Sequence, residues 1–154
     1  MAAPPEPGSR APAFNLGDQH GDKIRLASFK GRDVLVYFYP KADTPGCTTQ
    51  ACGLRDIANQ IGDTVVVGIS PDPPDKLAKF DQKYGLEFAL LSDPDHAVAD
   101  AYGVWGAKSM YGKTYQGVIR SAFLVDKSGK VAQAWPKISP KDTPTKLLAA
   151  LAAR

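Results

Sequence analysis

The stretch VLVYFYPKADTPGCTTQAC, residues 34–52, decides how this chain folds. Its first six residues, Val34 to Tyr39, are apolar without a break. Alternation would mark a strand with one wet face; a continuous β-branched and aromatic run marks a strand covered on both faces. Pro40 ends the run, and Lys41 to Gly46 has the Pro and Gly content of a loop. Beyond it Ala51, Leu54, Ala58 and Ile61 recur at steps of three and four, which predicts a helix over 49–61. A loop leaving the carboxyl end of a buried strand and entering a helix is where α/β proteins commonly place chemistry. Cys47 sits there.

The same strand-then-helix pattern extends along the chain. Val65 to Ile69 is a second apolar run and Phe88 to Leu91 a third. Ala122 to Val125 and Val131 to Trp135 flank Asp126-Lys127-Ser128-Gly129, which predicts a hairpin. Helical patterns fill the gaps. Asp75 to Tyr84 puts Leu77, Phe80 and Tyr84 on one face behind Pro73-Pro74, and Val98 to Tyr102 follows Asp93-Pro94 and stops at Gly103. A last helix follows Thr143, read as an N-cap, with Pro144 at its first position. The order β-α-β-α-β-α-β-β-α predicts an α/β domain of three layers with a mixed central sheet.

Composition narrows the class. A chain of 154 residues can bury one core. With 44% hydrophobic and 23% charged residues it reads as a soluble globular protein. The net charge of +3 comes from scattered residues, which gives no case for nucleic acid as a partner. No apolar run approaches the roughly 20 residues that span a bilayer, so no membrane partner is expected. The start, MAAPPEPGSR, lacks the basic and apolar parts of a secretory signal. Residues 1–8 are expected to be a disordered Pro-rich tail, residues 9–154 a single domain, and the compartment the cytoplasm. Two cysteines make no disulfide scaffold.

Spacing must therefore say what the cysteines do. At a helix start, unpaired N–H groups and the positive dipole end favour an anion, so a thiol there is expected to be acidified. A free thiol, titrating near about 8.5, is only a few per cent ionised at neutral pH. Bringing such a thiol to about 6 requires roughly 3.4 kcal/mol of preference for the anion. A helix terminus supplies about 0.3–1 kcal/mol and reaches ~2 kcal/mol only in favourable settings. The helix alone falls short, so a fixed cation near the sulfur is required.

Cys52 lies five residues on. On one ideal helix the two Cα atoms stand roughly 8.7 Å apart, beyond the ~7 Å at which disulfides form. Bridging them would require the first turns to unwind, coupling oxidation state to local structure. The spacing is not CxxC and offers no four-ligand metal set. Cys52 as a packed helical residue beside Leu54 stays open on these grounds.

Here the residues resemble a known family. Phe38-Tyr39-Pro40, Thr44-Pro45-Gly46-Cys47, Ala51-Cys52 and Leu54-Arg55-Asp56 are similar to the peroxiredoxin Q group, or bacterioferritin comigratory proteins. The resemblance runs from Ala11-Pro12-Ala13-Phe14 through Val67-Gly68-Ile69-Ser70 and Leu91-Ser92-Asp93-Pro94 to Ile119-Arg120-Ser121. It implies a thioredoxin-like fold of the peroxiredoxin type, with Cys47 as the peroxidatic and Cys52 as the resolving cysteine. Pro40, Thr44 and Arg120 match the family's other active-site positions. Gln50 stands where glutamate is usual, and Ala122 where threonine is usual; neither is one of the four positions Pro40, Thr44, Cys47 and Arg120.

The resemblance and the electrostatic requirement converge on Arg120, whose guanidinium stays charged and donates in a fixed fork. The Thr44 hydroxyl is expected to meet the peroxide oxygens, and Pro40 to shield the sulfur. The expected activity is reduction of hydrogen peroxide and organic hydroperoxides through a Cys47 sulfenic acid and a Cys47–Cys52 disulfide, reduced by thioredoxin or a similar dithiol. This chemistry requires no metal, haem or flavin. A disulfide within one chain makes a monomer the expected state. A one-cysteine peroxidase and a redox sensor are the competing readings. His20 and His96 read as solvated residues, Arg55 and Asp56 as a surface ion pair. Trp105, Met110, Tyr111 and Tyr115 read as pocket wall or core, with a dimer patch as the alternative.

Overall fold

A computed structural model describes residues 3–154; Met1 and Ala2, the start of the expected tail, lie outside them. The decisive run forms a strand, Val34–Phe38 (β3), at the centre of a five-stranded sheet. Two short strands precede it, Asn15–Gly17 (β1) and Lys23–Arg25 (β2), paired antiparallel. The chain continues through helix Pro45–Asp56 (α1), strand Val65–Ser70 (β4), helix Pro74–Tyr84 (α2), strand Ala89–Ser92 (β5) and helix Ala97–Ala101 (α3). Then come strands Trp105–Met110 (β6), Lys113–Val118 (β7), Ser121–Val125 (β8) and Val131–Trp135 (β9), and helix Thr143–Ala152 (α4).

The main sheet runs β5-β4-β3-β8-β9. Strands β3, β4 and β5 are parallel, while β8 lies antiparallel to β3 and β9 antiparallel to β8, so the sheet is mixed. Every residue of β3 is buried, which is why that run does not alternate. Its side chains divide between two cores, as the two-residue strand period requires. Val34, Val36 and Phe38 enter a cluster with Phe14, Val98, Tyr102 and Phe123. Leu35, Tyr37 and Tyr39 face Leu54 of α1, Leu77 and Phe80 of α2 and Leu147 of α4. Fully burying a leucine or phenylalanine side chain is worth about 1.5–3 kcal/mol, so these helices are held mainly by their apolar faces.

Several expectations need correction. Helix α1 begins at Pro45, four residues before the expected start, and ends at Asp56; Ala58–Gln60 is a separate 3-10 turn. Proline is well suited to the first helical turn because it lacks an N–H that would otherwise go unpaired. Thr143 is the first residue of α4, not its N-cap; that position is Asp142. The hairpin β6–β7 does not appear in the predicted order of elements. Its strands are mostly exposed, so apolar periodicity is weak. Its two-residue loop, Tyr111-Gly112, has both φ values positive, at 53° and 79°, the geometry usually signalled by Asn-Gly. Met110, Tyr111 and Tyr115 are therefore exposed rather than wall or core; Tyr111 is 97% accessible. Only Trp105 of that set packs on the core, and its ring stacks 3.9 Å from His96. His96 is not simply solvated, since its Nδ1 also meets Asp100 at 2.8 Å. His20 is exposed, and Arg55 pairs with Asp56 at 2.9 Å.

Candidate active site

The site forms where β3 hands the chain to α1. Pro40, half-buried, follows the end of the strand. The loop after it is pinned twice. Ala42 donates its N–H to Asp72 Oδ2 at 2.7 Å, and the Asp43 carboxylate accepts from Tyr84 Oη at 2.7 Å and Lys83 Nζ at 3.0 Å. Those bonds, from Tyr84 first and then Lys83, hold the Asp43 carboxyl below its usual range. Thr44 is the N-cap of α1, yet its hydroxyl donates back to the Lys41 carbonyl at 2.8 Å. Its backbone carbonyl takes the first helical bond, from Thr48, at 2.8 Å.

Cys47 is thus the third helical residue, in the turn whose N–H groups lack partners within the helix. It is 1% exposed and lies in the core cluster with Ala51, Leu54 and Ile138. Arg120, just before β8, reaches it across the sheet end: Nη2 stands 3.3 Å from Sγ. Gly46 eases this approach, because a Cβ there would crowd the same Nη2 at 3.2 Å. A guanidinium therefore lies against the sulfur, and the two residues meet although 73 positions separate them.

The other arm of the guanidinium donates from Nη1 to Gln50 Oε1 at 2.7 Å. Gln50 is wholly buried and passes a further bond from Nε2 to Thr143 Oγ1 at 2.9 Å. This Gln50–Thr143 link was not legible in the sequence. The periodicity of α1 does show position 50 beside Ala51 and Leu54, but not that a polar side chain there turns inward. Cys52 lies on the same helix, half-buried beside the core under α1, and both thiols are free. On Arg120's other side a cleft of about 370 Å³ is lined by Ala107, Lys108, Ile119, Lys137 and Ile138. Burial, followed by the charge of Arg120, holds the Lys108 ammonium below its ordinary range.

An ionisable sulfur beside a fixed guanidinium at a helix start is equipped for nucleophilic attack on a polarised bond. Comparison with known proteins agrees with that chemistry. Residues 7–134 match the AhpC/TSA family. The chain is 53% identical to peroxiredoxin Bcp of Escherichia coli over 130 residues, 83% of each protein. The peroxidoxin BcpB structure from Mycobacterium tuberculosis superposes with a TM-score of 0.85 at 36% identity, covering 97% of both chains. The bacterioferritin comigratory protein of Xanthomonas campestris, studied for its alkyl peroxide reduction activity, gives 0.84 at 35% identity, with 91% of this chain and 90% of that one covered. The chain belongs to the AhpC/TSA family, its fold is thioredoxin-like, and it is a thiol peroxidase that acts on hydroperoxides and is recycled by a thiol reductant.

Proposed function

We propose that Cys47 is the peroxidatic residue and Cys52 the resolving one, with Arg120, Thr44 and Pro40 completing the site. The Cys47 thiolate attacks one oxygen of a hydroperoxide; the O–O bond breaks, the sulfur becomes a sulfenic acid, and the leaving oxygen departs as water or alcohol after taking a proton. Arg120 stabilises the thiolate and the charge that develops on the leaving oxygen. Thr44 turns its hydroxyl from the Lys41 carbonyl towards the peroxide, and Pro40 keeps water from the sulfur. The Cys52 sulfur then displaces the sulfenic oxygen as water, forming an S–S bond within the chain.

The observation that carries this reading is the 3.3 Å approach of Arg120 Nη2 to Cys47 Sγ. The position of both cysteines on α1 supports the coupling of disulfide formation to unwinding. Hydrogen peroxide and organic hydroperoxides are the proposed substrates, with the activity of the Xanthomonas campestris relative favouring alkyl ones. Thioredoxin is the proposed dithiol, a monomer the working form and the cytoplasm its compartment. Among the described residues no helix is long and apolar enough to cross a membrane.

Turnover with thioredoxin separates the roles. Cys47→Ser is expected to abolish it, and Cys52→Ser to allow one oxidation per chain and then stop. Undiminished cycling by Cys52→Ser would make this a one-cysteine peroxidase.

A further inference from the structure

The hydrogen bonds that aim Arg120 do not begin at Arg120. Gln50 is wholly buried, and the two ends of its amide differ: Oε1 only accepts and Nε2 only donates. Arg120 can only donate, so Oε1 must face it, as the 2.7 Å contact has it. Nε2 is then left to donate at the other end, where Thr143 Oγ1 lies at 2.9 Å. The Thr143 proton is already committed to the Ser139 carbonyl at 3.0 Å, so its oxygen offers Gln50 a lone pair. A carbonyl at one end and a guanidinium at the other thus fix the direction of every link.

We infer that Thr143, the first residue of the C-terminal helix, is a positioning residue for the peroxidase reaction, setting through Gln50 the direction in which Arg120 presents its guanidinium to Cys47. This inference rests on the roles proposed above for Cys47 and Arg120. Thr143 is 1% exposed, so water is not at hand to replace its hydroxyl. Without that oxygen the Gln50 Nε2 faces a buried site with no acceptor. The amide then loses its anchor at that end and is free to shift, and Oε1 shifts with it. A displaced Oε1 draws the guanidinium off the sulfur. The α1–α4 seam is tight here: a Cβ on Gly53 would fall 2.8 Å from Pro144 Cγ, so the backbone around Thr143 has little room to compensate.

The test compares Thr143→Val, which keeps the shape and removes the hydroxyl, with Thr143→Ser, which keeps the hydroxyl. Oxidation of the full-length chain by hydrogen peroxide is followed by stopped flow across pH. T143V is expected to react about tenfold more slowly at neutral pH, inside the ~100-fold that an ångström of misplacement can cost, with its pH profile moved to higher pH. T143S is expected to stay within about twofold of the parent. A purely structural threonine would lower the melting temperature in T143V and leave the pH profile where it was. The inference is overturned if T143V matches the parent in rate and profile, or if T143S loses as much as T143V. Thr143→Ala, which asks less of the packing, decides the matter should T143V not fold. Cys47→Ser keeps the two readings apart: retained turnover there sinks the thiol assignment, whereas loss there with an inert T143V sinks only the role of Thr143.

Discussion

Replacing Arg120 by methionine tests the electrostatics of the site most directly. The change keeps a long apolar side chain and removes the charge that stands 3.3 Å from Cys47 Sγ. With its charge spread over three nitrogens, the guanidinium acts from a centre roughly 4 Å away, where a full unit charge is worth about 4 kcal/mol at an effective dielectric of 20. Loss of one fixed donor to a developing anion costs about 2.7–4 kcal/mol of transition-state stabilisation in other enzymes. The two figures agree, and they translate to a rate loss of about 100- to 1,000-fold. Stability should move far less. Gln50 Oε1 loses its 2.7 Å donor in a buried site. Such an orphan costs about 1–3 kcal/mol, or a melting temperature lower by some 2–4 °C per kcal/mol in a domain of this size. Arg120→Lys should fall between, because one ammonium cannot serve Sγ and Gln50 with the spacing of a planar fork. The assay is the second-order rate constant for oxidation by hydrogen peroxide in excess, with thermal unfolding followed by circular dichroism on the same samples. A folded methionine variant that keeps more than about a tenth of the parental rate constant would refute the reasoning.

Two further outcomes follow from the packing around α1. The Asp43 carboxyl titrates below its usual range because Tyr84 and Lys83 donate to it, so its contribution to stability is present above the unfolded value of about 3.9 and is lost as pH falls through the lower folded value; Asp43→Asn should therefore melt below the parent at pH 7 and converge with it in strong acid, and a gap of equal size at both pH values would contradict this. Gly53→Ala gains about 0.5–1 kcal/mol of helix propensity but drives a Cβ to 2.8 Å from Pro144 Cγ, a ring that cannot swing aside. Overpacking of that kind costs about 1–3 kcal/mol, so calorimetry should show a lower melting temperature, and a rise would mean that α4 yields.

What could be read from the chain and what could not divide along a physical line. The main-sheet strands and the helices were legible because burial imposes a period on them: β3 shows as an unbroken apolar run, and α2 as Leu77, Phe80 and Tyr84 at helical spacing. The β6–β7 hairpin was not, since its strands are held by pairing rather than burial and its turn is Tyr-Gly. The start of α1 is hidden in the chain because Pro45 and Gly46 read locally as loop residues, whereas proline in the first turn suits a helix.

By itself the sequence determined the α/β layering, the position of Cys47 near a helix entrance, and the need for a cation that no helix terminus can replace. Family resemblance, not spacing, singled out Arg120 as that cation. Only the tertiary structure decided that Arg120 reaches the sulfur although 73 positions separate them, that Gln50 turns inward to hold it, and that Thr143 closes the chain of hydrogen bonds from the C-terminal helix. The reason is one of range. Periodicity reports how each segment meets the core, while a hydrogen bond between distant segments leaves no period behind and exists only once the sheet and the α1–α4 seam have brought its partners within reach.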